Sequence, residues 1–193
     1  MNKILSMILA LSLVLSLAAC GGNTAEPTTE ATEPATEATE PATEAAVSVE
    51  ATCEELVNSI IEKQPVEFMG GIMPVDLTDT SEDGLWAIKY FTGLQDASQI
   101  TEVSVFEPMM GSVAFSMVMV RVAPEAGTKT VAENMKNGID TRKWICVGAD
   151  DVLVAGYADM VMLIMLDTGL GLTAQSFVDA FASTLGAEPE FVI

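Results

Sequence analysis

From residue 52 onward, the apolar positions of the chain switch between helical and strand-like periods. Thr52-Cys-Glu-Glu55 has the Thr-x-x-Glu form of a capping box, and Leu56, Val57, Ile60 and Ile61 follow at helical spacing until Pro65. A first helix is predicted there, with Glu54, Glu55, Glu62 and Lys63 on its polar side. A loop punctuated by Gly70, Gly71 and Pro74 leads to a short helix over Leu85–Phe91, stopped by Gly93. The period then changes to two. Ile100 to Phe106 alternates, with Val103 and Val105 on one side, and Pro108 to Gly111 connects it to Ser112–Ala123. This second run is apolar on both sides, as a central strand is. Pro124 and Gly127 end it, and Thr130-x-x-Glu133 offers a capping box for a helix containing Val131 and Met135 that ends near Gly138 or about a turn later.

The same order then recurs. Val152–Ala155 and Met160–Leu166 form a candidate hairpin around Gly156-Tyr157-Ala158-Asp159. Thr173 caps a last helix carrying Phe177, Ala180, Phe181 and Leu185, closed by Gly186. The pattern predicts an α+β domain: about four mainly antiparallel strands arranged as two hairpins, with three to four helices packed on one face. The repeated hairpin–helix order raises an internal repeat, but the two halves share too few residues to assert one.

Ahead of this region, Lys3 precedes an apolar run from Ile4 to Leu17 and small residues at Ala18 and Ala19, the three-part form of an export signal. The run falls short of the about 20 apolar residues that a spanning helix wants. Leu17-Ala18-Ala19-Cys20 resembles the lipobox of bacterial lipoproteins. That resemblance implies lipid transfer to the Cys20 thiol, cleavage before it, and anchoring in the cell membrane on the extracytoplasmic side. From Glu26 a seven-residue unit, Glu-Pro-Thr/Ala-Thr-Glu-Ala-Thr/Ala, repeats to Ala46. It has no large apolar residue for a coiled-coil seam, and its prolines break helices. Repelling carboxylates and proline favour an extended, disordered spacer, reaching roughly 65 Å at about 3.1 Å per residue. The expected organisation is therefore a signal peptide over 1–19, a lipidated cysteine and stalk over 20–46, and a single domain over 47–193.

Charge narrows what that domain can meet. Residues 47–193 hold 22 Asp and Glu against seven Lys and Arg, a formal net charge of −15. Such a surface repels phosphate backbones and anionic lipid headgroups, so no nucleic-acid partner is expected, whereas cations and cationic partners remain admissible. The chain has no histidine, which removes the commonest base, metal ligand and pH switch. With Cys20 committed to lipid, Cys53 and Cys146 remain: either a candidate disulfide or two free thiols. Cys53, at a helix start, has no histidine base to make it a nucleophile.

The clearest local motif is Asp79-Thr-Ser81-Glu-Asp83-Gly84, which copies the opening of a calcium loop with Asp79, Ser81 and Asp83 as candidate ligands. It breaks at its twelfth position, where Tyr90 stands in place of the bidentate carboxylate. No metal and no cofactor is therefore expected. Methionines gather near the strands, at Met109, Met110, Met117, Met119, Met160, Met162 and Met165. Thioethers suit copper(I), but the two-residue spacing of Met117/Met119 and Met160/Met162 turns each pair onto a packed face as core filling. Glu54/Glu55, Glu82/Asp83 and Asp150/Asp151 are adjacent carboxylates, which diverge on a helix or strand. Trp86, Tyr90, Phe91 and Trp144 suit core and lid packing, with an aromatic ligand platform as the alternative. No nucleophile elbow, phosphate loop or dinucleotide fingerprint occurs.

Over roughly residues 50–186 the chain resembles a family of lipoproteins from clostridia-like bacteria, the domain-of-unknown-function family numbered 4358. The resemblance rests on Glu54-Glu-Leu-Val-Asn-Ser-Ile-Ile61, on the 112–123 strand leading into the 128–140 helix, and on Val152-Leu-Val-Ala-Gly156 ahead of Met160–Leu166. Met160 and Val161 stand where the family pattern has an aromatic residue. The family brings no catalytic or binding residue to carry over. The expectation is a non-catalytic binding or interaction module, held at the membrane by the lipid on Cys20 and meeting an unknown envelope protein or small ligand. The alternatives are a carboxylate-dependent enzyme acting on cell wall or glycan, and a small solute-binding lipoprotein.

Overall fold

A computed structural model of the chain describes residues 48–193; the export signal, Cys20 and the stalk predicted above lie outside the described residues. In chain order the elements are α1 (Cys53–Lys63), β1 (Gly70–Met73), α2 (Glu82–Thr92), β2 (Ile100–Pro108), β3 (Phe115–Val122), α3 (Thr128–Gly138), β4 (Asp151–Tyr157), β5 (Met160–Leu166), α4 (Ala174–Leu185) and β6 (Phe191–Val192), with a 3-10 turn at Thr168–Leu170 before α4. The strands form one six-stranded antiparallel sheet in the order β1-β2-β3-β5-β4-β6. The α+β class and both predicted hairpins are present, but the sheet is wider than four strands. β1 opens with two glycines and β6 has two residues, so neither carries a readable alternation.

The helices do not share one face, which corrects the predicted arrangement. Cys53, Leu56, Val57 and Ile60 of α1 and Phe177, Val178 and Phe181 of α4 pack on Phe115, Met117, Met119, Met160, Met162 and Ile164. Ile88 of α2 and Val131, Ala132 and Met135 of α3 pack on the opposite face, against Val105, Val118, Val120, Val161, Leu163 and Met165. The central strands require this. Every residue of β5 is buried, and an antiparallel strand with no polar side must be covered twice. The face arrangement also answers the question of a repeat. β2-β3-α3 and β4-β5-α4 meet antiparallel at β3 and β5, yet their helices lie on opposite faces. The two units have opposite hands, so no rotation superposes them.

Local signals set most boundaries. Thr52 and Glu55 form the capping box of α1, and Thr173 caps α4, which Gly186 ends in the left-handed region. The Thr130–Glu133 box does not form: α3 starts at Thr128 behind Gly127, and Thr128 Oγ1 instead donates to the Ala158 carbonyl. The β4–β5 turn is Ala158–Asp159, tighter than the sequence pattern implied, with Ala158 at φ 51°. Gly93 ends α2 at φ 78°, where a Cβ would collide with the backbone of Met135 and Ile139.

Candidate functional site

The strands give the sheet two poles. One holds the start of β2, the end of β3 and the Ala158–Asp159 turn; the other holds the 109–114 turn, the end of β5 and the start of β4. At the first pole Arg121, a lone cation in an apolar strand, collects the incoming chain. Its Nη1 donates to the Val49 carbonyl and to Asp159, its Nη2 to the Ala51 carbonyl, and its Nε to Glu102. Asp159 in turn accepts from the Val49 N–H and the Ser48 hydroxyl, and Glu102 accepts the Cys53 N–H. Burial works to raise the Asp159 pKa, but the Val49 N–H, Arg121 and Ser48 outweigh it and hold the carboxyl below its usual range. The charged groups of this clamp bind one another, the Ser48 hydroxyl and the 48–53 backbone.

A second ionic cluster lies buried beneath the loop that follows α3. Lys143 Nζ and Glu107 Oε1 form an ion pair at 2.5 Å, and the two side chains are 2% and 9% exposed. The ammonium also donates to the Tyr90 carbonyl and to Ser116 Oγ, and sits 4.6 Å from the centre of the Tyr90 ring. Burial lowers the Lys143 pKa, with Glu107 opposing the shift. A serine beside a lysine can form a nucleophile–base pair; here Ser116 is fully buried and Lys143 is paired with Glu107. The cluster pins the 139–150 loop to the sheet.

Above that loop the second pole carries an apolar surface. Met69, Met109 and Ile145 are 74%, 65% and 73% exposed, and Met110 and Trp86 are more than half exposed. Close contacts link them. The Met109 N–H donates to the Met69 carbonyl, the Ile145 N–H donates to the Gly111 carbonyl, and Trp86 stacks on Tyr90, whose ring faces Lys143. A groove of about 410 Å³ lined by Pro65, Phe68, Leu170 and Leu172 opens beside Met69. Exposed carboxylates border the surface at Glu67, Asp140 and Asp150, with Arg142 as the exposed cation of the loop. A second groove, of about 390 Å³, is lined by amides: Gln95, Gln99, Asn134 and Asn137.

The structure disperses the candidate residues read from the sequence. Asp79 Oδ1 accepts the Ser81 N–H, and Ser81 Oγ accepts the Gly84 N–H as the N-cap of α2. The calcium-like segment is thus a turn and a helix start, with Gly84 packed where a Cβ would strike Asp79. Among the described residues no group of three or more Asp, Glu or Cys is gathered for a metal. Met117, Met119, Met160 and Met162 are core residues of the α1/α4 face, while Met109 and Met110 are on the surface. Cys53 is buried on that face and Cys146 is exposed, at φ 63°, in the loop beyond the other face; both thiols are free. Burial, with Glu102 adding, pushes the Cys53 pKa up. Asp150 accepts from Thr168 and Asp151 from the Ala174 N–H, so this carboxylate pair ties β4 to the start of α4. Trp144 and Phe91 pack in the core, and Trp86 does not.

Sequence reading passed over Arg121, Glu102, Asp159, Lys143 and Glu107. A charge inside an otherwise apolar strand, as at Arg121, was the available signal. Comparisons with family models, curated proteins and solved structures found no match. Among the described residues no helix is long and apolar enough to cross a membrane.

Proposed function

We propose that this chain is an extracytoplasmic lipoprotein, anchored through lipid on Cys20, whose domain is a non-catalytic binding module that works through the apolar pole. The observation that carries this reading is the opposition of the two poles. The Arg121 clamp holds the first described residues, at Val49 and Ala51. The exposed Met69, Met109, Met110 and Ile145 lie at the other end of the strands, about 26 Å away over the eight steps of β2. A tether at one end and an apolar surface at the other is the geometry of a displayed contact surface. The export signal and lipobox at Leu17–Cys20, and the resemblance to the lipoprotein family, support the same reading.

The test has two arms in cells. Cys20→Ser is expected to release the chain from the membrane fraction, and persistence of an unlipidated, membrane-bound chain would refute the anchor. A photo-crosslinking residue at Met110 is expected to trap one reproducible partner that the same residue at Lys129, on α3, does not. Equal crosslinking at both positions would refute the pole as the contact surface.

A further inference from the structure

β1 is one of the two edge strands of the sheet, and among the described residues no strand pairs with its outer side. The Met109 N–H to Met69 carbonyl bond marks 69/109 as a hydrogen-bonded pair, so by alternation 71/107 and 73/105 face β2 while Gly70 and Ile72 face outward. Among the described residues no hydrogen bond engages the outward N–H and C=O of Gly70 and Ile72. Natural edge strands are blunted by lysine, by proline or by a covering segment. No charge occurs from Phe68 to Met73, and Pro74 comes only after the strand has ended.

The two glycines differ in what they do. A Cβ at Gly70 would press into the Phe106 ring at 2.6 Å, so packing alone demands glycine there. A Cβ at Gly71 would meet only the terminal methyl of Met109, at 3.9 Å. Packing does not require glycine at 71, and its bareness leaves room over the strand for a large side chain of a neighbouring strand. Gly71 shares its face with Glu107 and the Lys143–Tyr90–Trp86 cluster, and Met109 beside it belongs to the apolar surface.

Charge selects the occupant. A second copy would bring the same net charge of −15 over its residues 47–193 and the same carboxylates at Glu67 and Asp140. A cationic segment meets that border favourably. We infer that β1 is a docking edge to which an extended, cationic segment of another protein adds as a seventh strand, placing an aromatic or large apolar side chain over Gly71. Backbone pairing at Gly70 and Ile72 supplies the attachment, and the bare Gly71 supplies the selectivity. This rests on the apolar pole being the working surface, and it names how that surface recognises its partner.

The experiment pans a pool of short random synthetic peptides against the full chain in detergent. The expected binders carry net positive charge and an aromatic or large apolar residue within an alternating pattern. On binding, the Gly70 and Ile72 amides gain protection from hydrogen exchange, a readout that needs no variant. N-methylation of alternate peptide nitrogens, or Ile72→Pro, which removes an outward N–H and no sheet bond, weakens binding by about tenfold or more. A pool without binders, or binders that leave those two amides unprotected, overturns strand addition. Binders that instead perturb Met110 and Ile145 overturn it while leaving the apolar pole as a contact surface. Sedimentation showing a dimer that Ile72→Pro dissolves assigns the edge to a second copy and overturns the cationic partner.

Discussion

Replacing Glu107 by glutamine keeps the shape of the buried cluster and removes the counter-charge of Lys143. The ammonium is then left at a site where its side chain is 2% exposed. Removing one partner of a buried ion pair costs about 3–5 kcal/mol. Here the glutamine carbonyl, the Tyr90 carbonyl, Ser116 and the Tyr90 ring still face the charge, which lowers the expected cost to about 2–4 kcal/mol. For a domain of this size that is a fall in Tm of roughly 6–15 °C. Urea unfolding followed by tryptophan fluorescence reads it directly, because Trp144 lies beside Lys143. The double variant Lys143→Met/Glu107→Leu removes both charges and is expected to recover most of the loss. A pH arm follows from the lowered Lys143 pKa. Between the folded value and the ordinary lysine value the unfolded chain binds more protons, so stability from this group rises with pH across that window. Loss of Glu107 opens the window at lower pH, so the gap between variant and wild type narrows as pH rises towards the ordinary lysine value. A cost below about 1 kcal/mol, or a double variant no more stable than either single one, would refute the reasoning.

Four other outcomes test the geometry. The Val49 amide, held by Asp159, is expected to lose exchange protection as pH falls through the depressed Asp159 pKa, and in Arg121→Ala at neutral pH as well; unchanged protection would break the clamp. Ala158→Gly relieves a left-handed residue in the tight turn and is expected to add about 0.5–1 kcal/mol in chemical denaturation, whereas a loss would show the turn to be unstrained. Under native conditions iodoacetamide followed by peptide mapping is expected to label Cys146 and spare Cys53, and equal labelling would contradict the burial of Cys53. Ser81→Ala is expected to cost about 1 kcal/mol through the lost cap of α2, while millimolar calcium leaves Tm unchanged; a calcium-dependent rise abolished by Asp79→Asn would restore the cation site.

Much of the fold was legible because neighbours in the chain decide it. Capping at Thr52 and Thr173, the stop at Gly186 and the switch from helical to alternating period at Ile100 are local, and each holds in the structure. The two missed strands are those whose partners lie far away. β1 pairs with β2 some thirty residues on, and β6 pairs with β4 through two residues. The candidate site was less legible still. Asp79, Ser81 and Asp83 form a contiguous motif and became a helix start, whereas Arg121, Glu102 and Asp159 are scattered through the chain and meet only because β2, β3 and β5 align.

By itself the sequence determined the starts of α1 and α4, the hairpins, the acidic balance and the doubly apolar runs of β3 and β5, all of which follow from residue type and spacing within a few turns. The tertiary structure decided which helices cover which face, where Lys143 finds its counter-charge, and that Met109, Met110 and Ile145 stay exposed. The physical reason is that periodicity states how much apolar surface an element must hide, and the choice of partner that hides it is made only when distant segments close on one another.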